Sequence, residues 1–182
     1  PGRIRVGHLI DVGLQSGLSS ATAPREQRFE ATAAADLMQD GRVLIPAFAV
    51  GRAQTLLHGV HLLKQARRIP NMPVYLDSPM AADVTRIYRH HGDEHLLAAE
   101  QCAAMSGEAT VVNTIEESNR LDALAYPSII VSASGMATGG RVLHHIKTYA
   151  PQARNTILFA GFQAAGTRRA TLVGGAKRGK VH

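Results

Sequence analysis

Arginine, hydroxyl-bearing and glycine residues follow four apolar segments of the sequence, each at the point where the apolar run ends. A guanidinium can bind a phosphate through two parallel hydrogen bonds, and hydroxyls and backbone N–H groups add single ones. These residue types at repeated positions therefore predict a site for an anion such as phosphate. Segment by segment, they are Gly51, Arg52 and Gln54; Asp77 and Ser78; Ser132, Ser134, Gly135, Gly139, Gly140 and Arg141; and Gln163, Thr167, Arg168 and Arg169.

The placement of the arginines strengthens this prediction. Arg52 falls in the first turn of a predicted helix, where the positive end of the helix dipole disfavours a cation. A single arginine in this position would indicate a side chain that reaches into solvent. Because an arginine follows the apolar run in three of the segments, a shared anion is favoured. Asp77 keeps three interpretations: it orients one of these arginines, caps the next helix or faces water.

The histidines offer a weaker signal for chemistry. The run around His90 to His95 is interrupted by Gly92, and adjacent histidines on a helix point in different directions. The sequence contains no cysteine pair, no His-Glu-x-x-His pattern, no Walker loop and no Gly-x-Ser-x-Gly elbow. We interpret the histidines as exposed or packed side chains and predict no metal ligand and no catalytic residue in this chain. Those considered are His58, His61, His90, His91, His95, His144 and His145.

Composition limits the class of protein. The 182 residues include 45% hydrophobic and 19% charged residues, which is ordinary for a globular chain. A formal net charge of +6 favours a polyanionic partner such as nucleic acid. The single Cys102 cannot form a disulfide within the chain, which is typical of a reducing compartment, and no apolar run is long enough to span a membrane. We therefore expect a cytoplasmic protein without a membrane partner.

Apolar segments of strand length alternate with amphipathic helical segments along most of the chain. This pattern predicts an α/β fold: a Rossmann-like, mostly parallel sheet with helices on both faces. The carboxyl ends of parallel strands share one edge, so the four candidate segments should lie together. We also expect a strand within the first twenty residues, a helix that starts at Pro24, a helical break near Gly92, and a short strand around Val111 followed by a short helix.

Four segments in this order resemble the β-CASP domain of the metallo-β-lactamase-fold ribonucleases, which include RNA-processing nucleases and the endonuclease of messenger-RNA 3′-end formation. They are "GRVLIPAFAVGRAQTLL", "PVYLDSPMA", "IIVSASGMATGGRVLHHIK" and "NTILFAGFQAAGTR". The resemblance covers roughly residues 24 to 180. It implies a lid domain that clamps RNA over the zinc site of a metallo-β-lactamase domain. On that picture the RNA phosphates would be held by Arg52, Gln54, Ser78, Ser132, Ser134, Gly135, Arg141, Thr167 and Arg168.

The resemblance also limits what this chain does alone. The family's zinc ligands belong to the other domain, and the His-x-His-x-Asp-His motif is absent from this sequence. We expect residues 1–23 to be a linker or a remnant of the metallo-β-lactamase domain, and residues 24–182 to be a truncated β-CASP domain. The full-length parent would be a zinc-dependent RNA hydrolase, whereas this fragment would bind RNA weakly and not cleave it. An isolated lid also exposes the apolar face that meets its partner domain, which favours self-association into a homodimer.

Two other functions remain open from the sequence. The same basic edge could belong to an RNA-binding or interaction module with no catalytic parent, which predicts a steep dependence of RNA affinity on salt. Alternatively, the segment "SASGMATGG" could bind a mononucleotide in a small-molecule α/β enzyme, which predicts saturable binding in a closed pocket.

Overall fold

The structure, a computed structural model, describes residues 9–12, 41–94, 97–160 and 164–173. The helix predicted from Pro24 lies outside the described residues. Within them, the order of strands and helices follows the alternation that the sequence predicts. No helix in these ranges is long and apolar enough to cross a membrane.

The described strands form a six-stranded sheet in which every neighbouring pair is parallel. In spatial order the sheet reads β1-β6-β2-β5-β3-β4. The predicted parallel sheet is therefore confirmed. The strands are β1 (Leu9–Val12), β2 (Arg42–Pro46), β3 (Val74–Asp77), β4 (Thr110–Val111), β5 (Ser128–Ser132) and β6 (Thr156–Ala160).

Six α-helices connect or follow these strands in the described part of the chain. The helix predicted to break near Gly92 does so: α2 ends at His90, a short 3-10 turn follows, and α3 begins at Ala99. The helices are α1 (Arg52–Gln65), α2 (Pro79–His90), α3 (Ala99–Gly107), α4 (Ile115–Asp122), α5 (Val142–Tyr149) and α6 (Arg168–Val173).

The sheet carries a hydrophobic core on each face because its central strands are apolar on both sides. Alternate residues of β2 face opposite cores: Val43 and Ile45 pack with α1, α2 and α3, whereas Leu44 packs with α4, α5 and α6. Both faces are thus covered, which explains why the central strands read as continuous apolar runs rather than as alternating ones.

The direction in which the connections cross the sheet reverses between β2 and β5, which lie side by side. The chain leaves β2 through α1 on one face toward β3, and leaves β5 through α5 on the other face toward β6. Such a reversal separates the two connecting loops and opens a crevice at the carboxyl edge, where ligands of open parallel sheets bind. The topology therefore directs attention to residues 47–51 and 133–141.

Two further predictions concern the ends of the sheet. The short strand around Val111 and the helix after it are confirmed as β4 and α4. Near the start of the chain, β1 pairs with β6 at the opposite edge of the same sheet. Residues 9–12 thus form the strand expected within the first twenty residues, and they extend the sheet.

Candidate nucleic-acid interface

Arg52 lies at the switch point between β2 and β5. Gly51, at φ +74°, turns the chain from the loop into α1 and leaves Arg52 as the first helical residue. The Arg52 side chain is partly exposed and has no hydrogen bond or ion pair to another described residue. An unpaired guanidinium at the positive end of a helix dipole is locally unfavourable, so an anion bound there would be stabilised.

The glycine-rich loop that follows β5 forms the other wall of the crevice. The Ser134 hydroxyl donates to the Gly139 carbonyl at 3.2 Å, which closes the loop on itself. Arg168, at the start of α6, donates to the Ala137 carbonyl at 2.7 Å. A Cβ on Gly135 would come within 2.9 Å of the Phe48 backbone nitrogen, so the loops after β2 and β5 are in close contact.

The first turns of α1, α2 and α5 lack the acidic residues that the first turn of α4 contains. No acidic residue lies in the first turn of α1, α2 or α5. The first turn of α4, in contrast, holds Glu116 and Glu117, and Glu117 forms a capping box with Thr114. The start of α1 thus lacks a carboxylate in its first turn, which favours an external anion there. At the other two helices Asp77 is nearby, because it directly precedes the N-cap of α2 and binds Arg141 at the start of α5.

Behind this edge lies a buried ionic network centred on Asp77, the last residue of β3. Asp77 is fully buried, and its Oδ1 accepts a hydrogen bond from Arg141 Nη1 at 2.8 Å. Its Oδ2 accepts from Ser118 Oγ at 2.6 Å and from His145 Nε2 at 2.8 Å. Of the three interpretations of Asp77, the structure therefore supports the one in which it orients an arginine.

His145 continues the network on the opposite side of its ring. Its Nδ1 lies 2.6 Å from Asp122 Oδ1, so both ring nitrogens contact a carboxylate oxygen. An ionised carboxylate only accepts hydrogen bonds, and each nitrogen must therefore carry a proton. The ring also stacks on Tyr149, at 5.7 Å between centroids. This geometry favours a doubly protonated ring, an imidazolium, at His145.

The pKa shifts follow from this arrangement. Burial alone would raise the pKa of Asp77, but hydrogen bonds from His145, Ser118 and Arg141 outweigh it and lower the pKa. Burial opposes the charge on His145, but hydrogen bonds to Asp122 and Asp77 outweigh it and raise the pKa of the imidazole. For His144, burial and the neighbouring His145 charge lower the pKa.

Zinc, which the resemblance places in the full-length parent, does not fit this cluster. The ligand atoms of Asp77, His144 and His145 lie within 4.8 Å of one another. However, Ser118 donates its only hydroxyl proton to Asp77, so the Ser118 oxygen must accept a hydrogen bond from His144 Nε2 at 3.1 Å. The Nε2 atoms of His144 and His145 both act as donors and are therefore not available as metal ligands. Two carboxylates, one guanidinium and one imidazolium also balance in charge without a metal.

The nine predicted phosphate-binding residues fall into two groups. Arg52, Ser134, Arg141, Thr167 and Arg168 keep partly exposed side chains at or beside the loops described above. The other four are buried. The Ser78 hydroxyl caps α2 by accepting from the Ala81 N–H at 3.2 Å, and the Ser132 hydroxyl donates to the Asp77 carbonyl at 3.2 Å. The buried members are Gln54, Ser78, Ser132 and Gly135.

Gln54 joins α1 to α2 rather than facing the edge. It is 2% exposed, and its Nε2 donates to the Ala49 and Ala81 carbonyls and to Thr85 Oγ1. We expect Gln54→Leu to lower the free energy of unfolding by about 1–3 kcal/mol, because buried hydrogen bonds are lost without a change in volume. Denaturant titration measures this, and Gln65→Leu at the exposed end of α1 should change it by less than about 0.5 kcal/mol. An equal loss in both variants would contradict the structural role of Gln54.

Sequence reasoning did not find the ionic network. It interpreted His144 and His145 as exposed or packed; His145 is packed, but as a charged group. Ser118 and Asp122 were not singled out, although they are four residues apart on one face of α4. Arg141 and His145 have the same spacing at α5. Two polar pairs at this spacing, on helices that follow a strand ending in aspartate, were the sequence signal that could have indicated the network.

Comparison with known proteins identifies relatives of this chain. The family model described as "Beta-Casp domain" matches residues 53–172. A ribonuclease of Thermus thermophilus, TTHA0252, is 38% identical over 144 residues, which cover 75% of this chain and 33% of that protein.

Archaeal relatives share the same region. The transcription termination factor FttA of Methanosarcina mazei is 29% identical over 162 residues, covering 85% of this chain and 25% of that factor. The FttA of Methanocaldococcus jannaschii is 33% identical over 146 residues, covering 70% of this chain and 21% of the factor. The chain thus spans only a fifth to a third of the length of these relatives.

Proposed function

The chain belongs to the Beta-Casp domain family, and from that premise we propose that it is the RNA-clamping domain of a zinc-dependent ribonuclease. In this proposal the carboxyl edge of the sheet holds RNA phosphates. The phosphodiester would be hydrolysed in a metallo-β-lactamase domain of the same protein, which would hold the zinc. Residues 24–182 would form the clamping domain, with β1 as an additional edge strand.

The observation that carries the proposal is Arg52 at the switch point, a cation without an anionic partner among the described residues. A guanidinium in this position can contact a phosphate from the first turn of α1 through two parallel hydrogen bonds. Ser134 lies on the neighbouring loop, and Arg168 binds that loop from the start of α6, so an extended phosphate backbone could contact both arginines at once. The chain's net charge of +6 adds long-range attraction for such a polyanion.

Exposed apolar residues at the same edge support a partner domain. Phe48 and Val50 lie in the loop after β2, and Met80 and Ile115 lie in the first turns of α2 and α4. Each of these side chains is 47–64% exposed. Large apolar groups next to a basic surface are typical of a face that another protein surface covers in part. In the proposal, the metallo-β-lactamase domain covers this face and RNA passes between the two domains.

The chain alone is proposed to bind RNA weakly without cleaving it. Phosphodiester hydrolysis needs an activated nucleophile and stabilisation of the leaving oxygen, which a metal pair supplies in metallohydrolases. Arginines at the edge can position phosphate, but they activate no water. We expect the chain to bind a labelled single-stranded RNA and to leave it intact in the presence of Zn²⁺. Cleavage that a chelator abolishes would contradict this assignment.

Arg52→Gln provides the direct test of the binding edge. We expect weaker RNA binding and a slope of log Kd against log salt that is smaller by about one unit, because one phosphate contact is lost. Fluorescence anisotropy over a range of salt concentrations measures both quantities. Arg68→Gln removes the same charge just beyond the other end of α1 and should leave the slope unchanged.

Several outcomes would overturn the proposal. Equal effects of the Arg52 and Arg68 variants would show that RNA senses only net charge. Saturable binding of a mononucleotide that RNA cannot displace would instead favour the small-molecule enzyme.

A further inference from the structure

The buried network connects the loops of the proposed RNA-binding edge to the interior of the domain. Arg141 is the residue that makes this connection, at the junction of the glycine-rich loop and α5. Besides Asp77, its guanidinium donates to the carbonyls of Val112 at 3.1 Å and Asn113 at 2.7 Å. Arg141 is the last residue of the loop that carries Ser134, so its side chain connects the end of that loop to the ends of β3 and β4.

The orientation of Arg141 depends in turn on how Asp77 is held. Each oxygen of the Asp77 carboxylate meets one cation, Arg141 on Oδ1 and His145 on Oδ2. The carboxylate therefore cannot rotate toward one partner without losing the other. His145 is itself held from behind by Asp122, which also accepts from the Thr148 hydroxyl at 3.3 Å.

We propose that His145 is a positioning residue for the RNA-binding edge: as an imidazolium clamped between Asp122 and Asp77, it keeps Asp77 aligned on Arg141 and so fixes the glycine-rich loop. His145 is fully buried and therefore cannot contact RNA at the edge directly. Its effect on RNA would come from preorganisation, because a loop that is already ordered loses less entropy when a ligand binds. The inference rests on the proposed function and extends it to a residue behind the edge.

Loss of the proton from His145 should weaken the same interactions. A neutral ring has one N–H, so one of its two carboxylate contacts becomes an approach of a lone pair to a negative oxygen. Because the pKa of His145 is raised in the folded state, its contribution is fully present below the unfolded value of about 6.5 and is lost as the pH rises through the raised value.

Other groups around the ring could contribute to a pH effect and must be considered with it. The titratable and charged groups that face His145 or its stacking partner from the packed elements are Asp77 on β3, Asp122 on α4, Arg141, His144 and Tyr149 at α5, and Arg42 on β2. The pKa of His144 is lowered and that of Tyr149 is raised to a value far above neutrality. Of this set, His145 is therefore the imidazole whose pKa is raised, and the one that we expect to lose its proton as the pH rises above the ordinary value for histidine.

The protonation state of His145 can be tested without RNA. In the chain labelled with ¹⁵N-histidine, we expect NMR at pH 6.5 to show one imidazolium with both N–H protons protected from exchange. An exposed histidine is about half protonated at this pH. His145→Gln assigns the signal. A neutral imidazole at this position would overturn the proposal, whatever the RNA measurements show.

RNA affinity tests the positioning role itself. We expect His145→Gln to weaken binding at pH 7 by about 3- to 30-fold, the range found for residues that act on a site through others. As the pH rises through the His145 titration, the wild-type chain should lose affinity while the variant stays constant. His90→Gln, at the exposed end of α2, should behave like the wild type.

The outcomes separate this inference from the proposed function. If the wild type binds no RNA at any pH, the proposed function is overturned and the inference falls with it. If the wild type binds RNA and the folded His145→Gln chain binds equally well with the same pH profile, only the positioning role is wrong. Thermal melting identifies whether the variant is folded at the temperature of the binding assay.

Discussion

Asp77→Ala is expected to lower the free energy of unfolding by about 3–5 kcal/mol, the cost of removing one partner from a buried ion pair. The loss is large because the carboxylate is fully buried and serves two cations, Arg141 and His145. Without it, both cations remain in a low-dielectric interior with fewer counter-charges. Chemical denaturation at pH 7, followed by circular dichroism, measures the change.

The control for this prediction is Asp83→Ala on α2. Asp83 also pairs with an arginine, Arg86, at 2.7 Å, but both side chains are more than half exposed. Exposed pairs contribute only about 0–1 kcal/mol, so this variant should remain close to the wild type. A loss for Asp77→Ala no larger than that for Asp83→Ala would show that the buried network contributes little to stability.

The pH dependence of stability should also differ between the wild type and Asp77→Ala. The pKa of Asp77 is lowered in the folded state, so its contribution is present above its unfolded value of about 3.9 and disappears as the pH falls through the lower folded value. The wild type should therefore lose this part of its stability in acid, and Asp77→Ala should not. Urea titrations between pH 2 and pH 6 give the free energy of unfolding as a function of pH for the wild type and for Asp77→Ala.

The sheet and the position of Arg52 at its carboxyl edge could be predicted because their signals are local. An apolar run of five residues such as β2 must be buried on both faces, and this requires helices above and below. Parallel strands then bring their carboxyl ends to one edge regardless of the details of packing. Arg52 could thus be placed at the edge from its position after one such run, before any neighbouring strand was known.

The network behind the edge could not be predicted because it depends on how two helices pack on the sheet. Asp122 and His145 meet only because α4 and α5 lie side by side on one face. Asp77 and Arg141 are 64 residues apart in sequence. Sequence spacing places each residue on a face of its own helix, but the angle and offset between helices come from side-chain volumes across the whole core. A histidine within an apolar helix therefore gave no indication of its charge.

Arg141 shows how the structure narrows the prediction of phosphate-binding residues. Its side chain is 20% exposed, and two of its nitrogens already donate to protein acceptors. It can still attract phosphate through its charge, but the present contacts make it an anchor for the loop. Arg52 has no such contacts among the described residues, which is why the two arginines at the same edge are expected to respond differently to RNA.

Gly140→Ala is expected to destabilise the domain by about 2–5 kcal/mol, because two penalties combine at one position. Gly140 has φ +77°, which an L-residue adopts at a cost of about 1–2 kcal/mol. Its new Cβ would also lie 2.6 Å from the Ala133 carbonyl oxygen, a backbone atom that can move only with the loop. Overlap of this kind typically adds about 1–3 kcal/mol. Thermal and urea unfolding measure the loss of stability.

The neighbouring glycine provides a matched control within the same loop. A Cβ on Gly139 would meet nothing within 4 Å, and its φ lies outside the left-handed region, so Gly139→Ala should leave stability unchanged or raise it by up to about 1 kcal/mol. Gly140 precedes Arg141, and a shifted loop would also move the guanidinium away from Asp77. We therefore expect Gly140→Ala, but not Gly139→Ala, to weaken RNA binding even at temperatures where both variants are folded. Equal stability and equal RNA affinity of the two variants would show that the loop conformation described here does not control the edge.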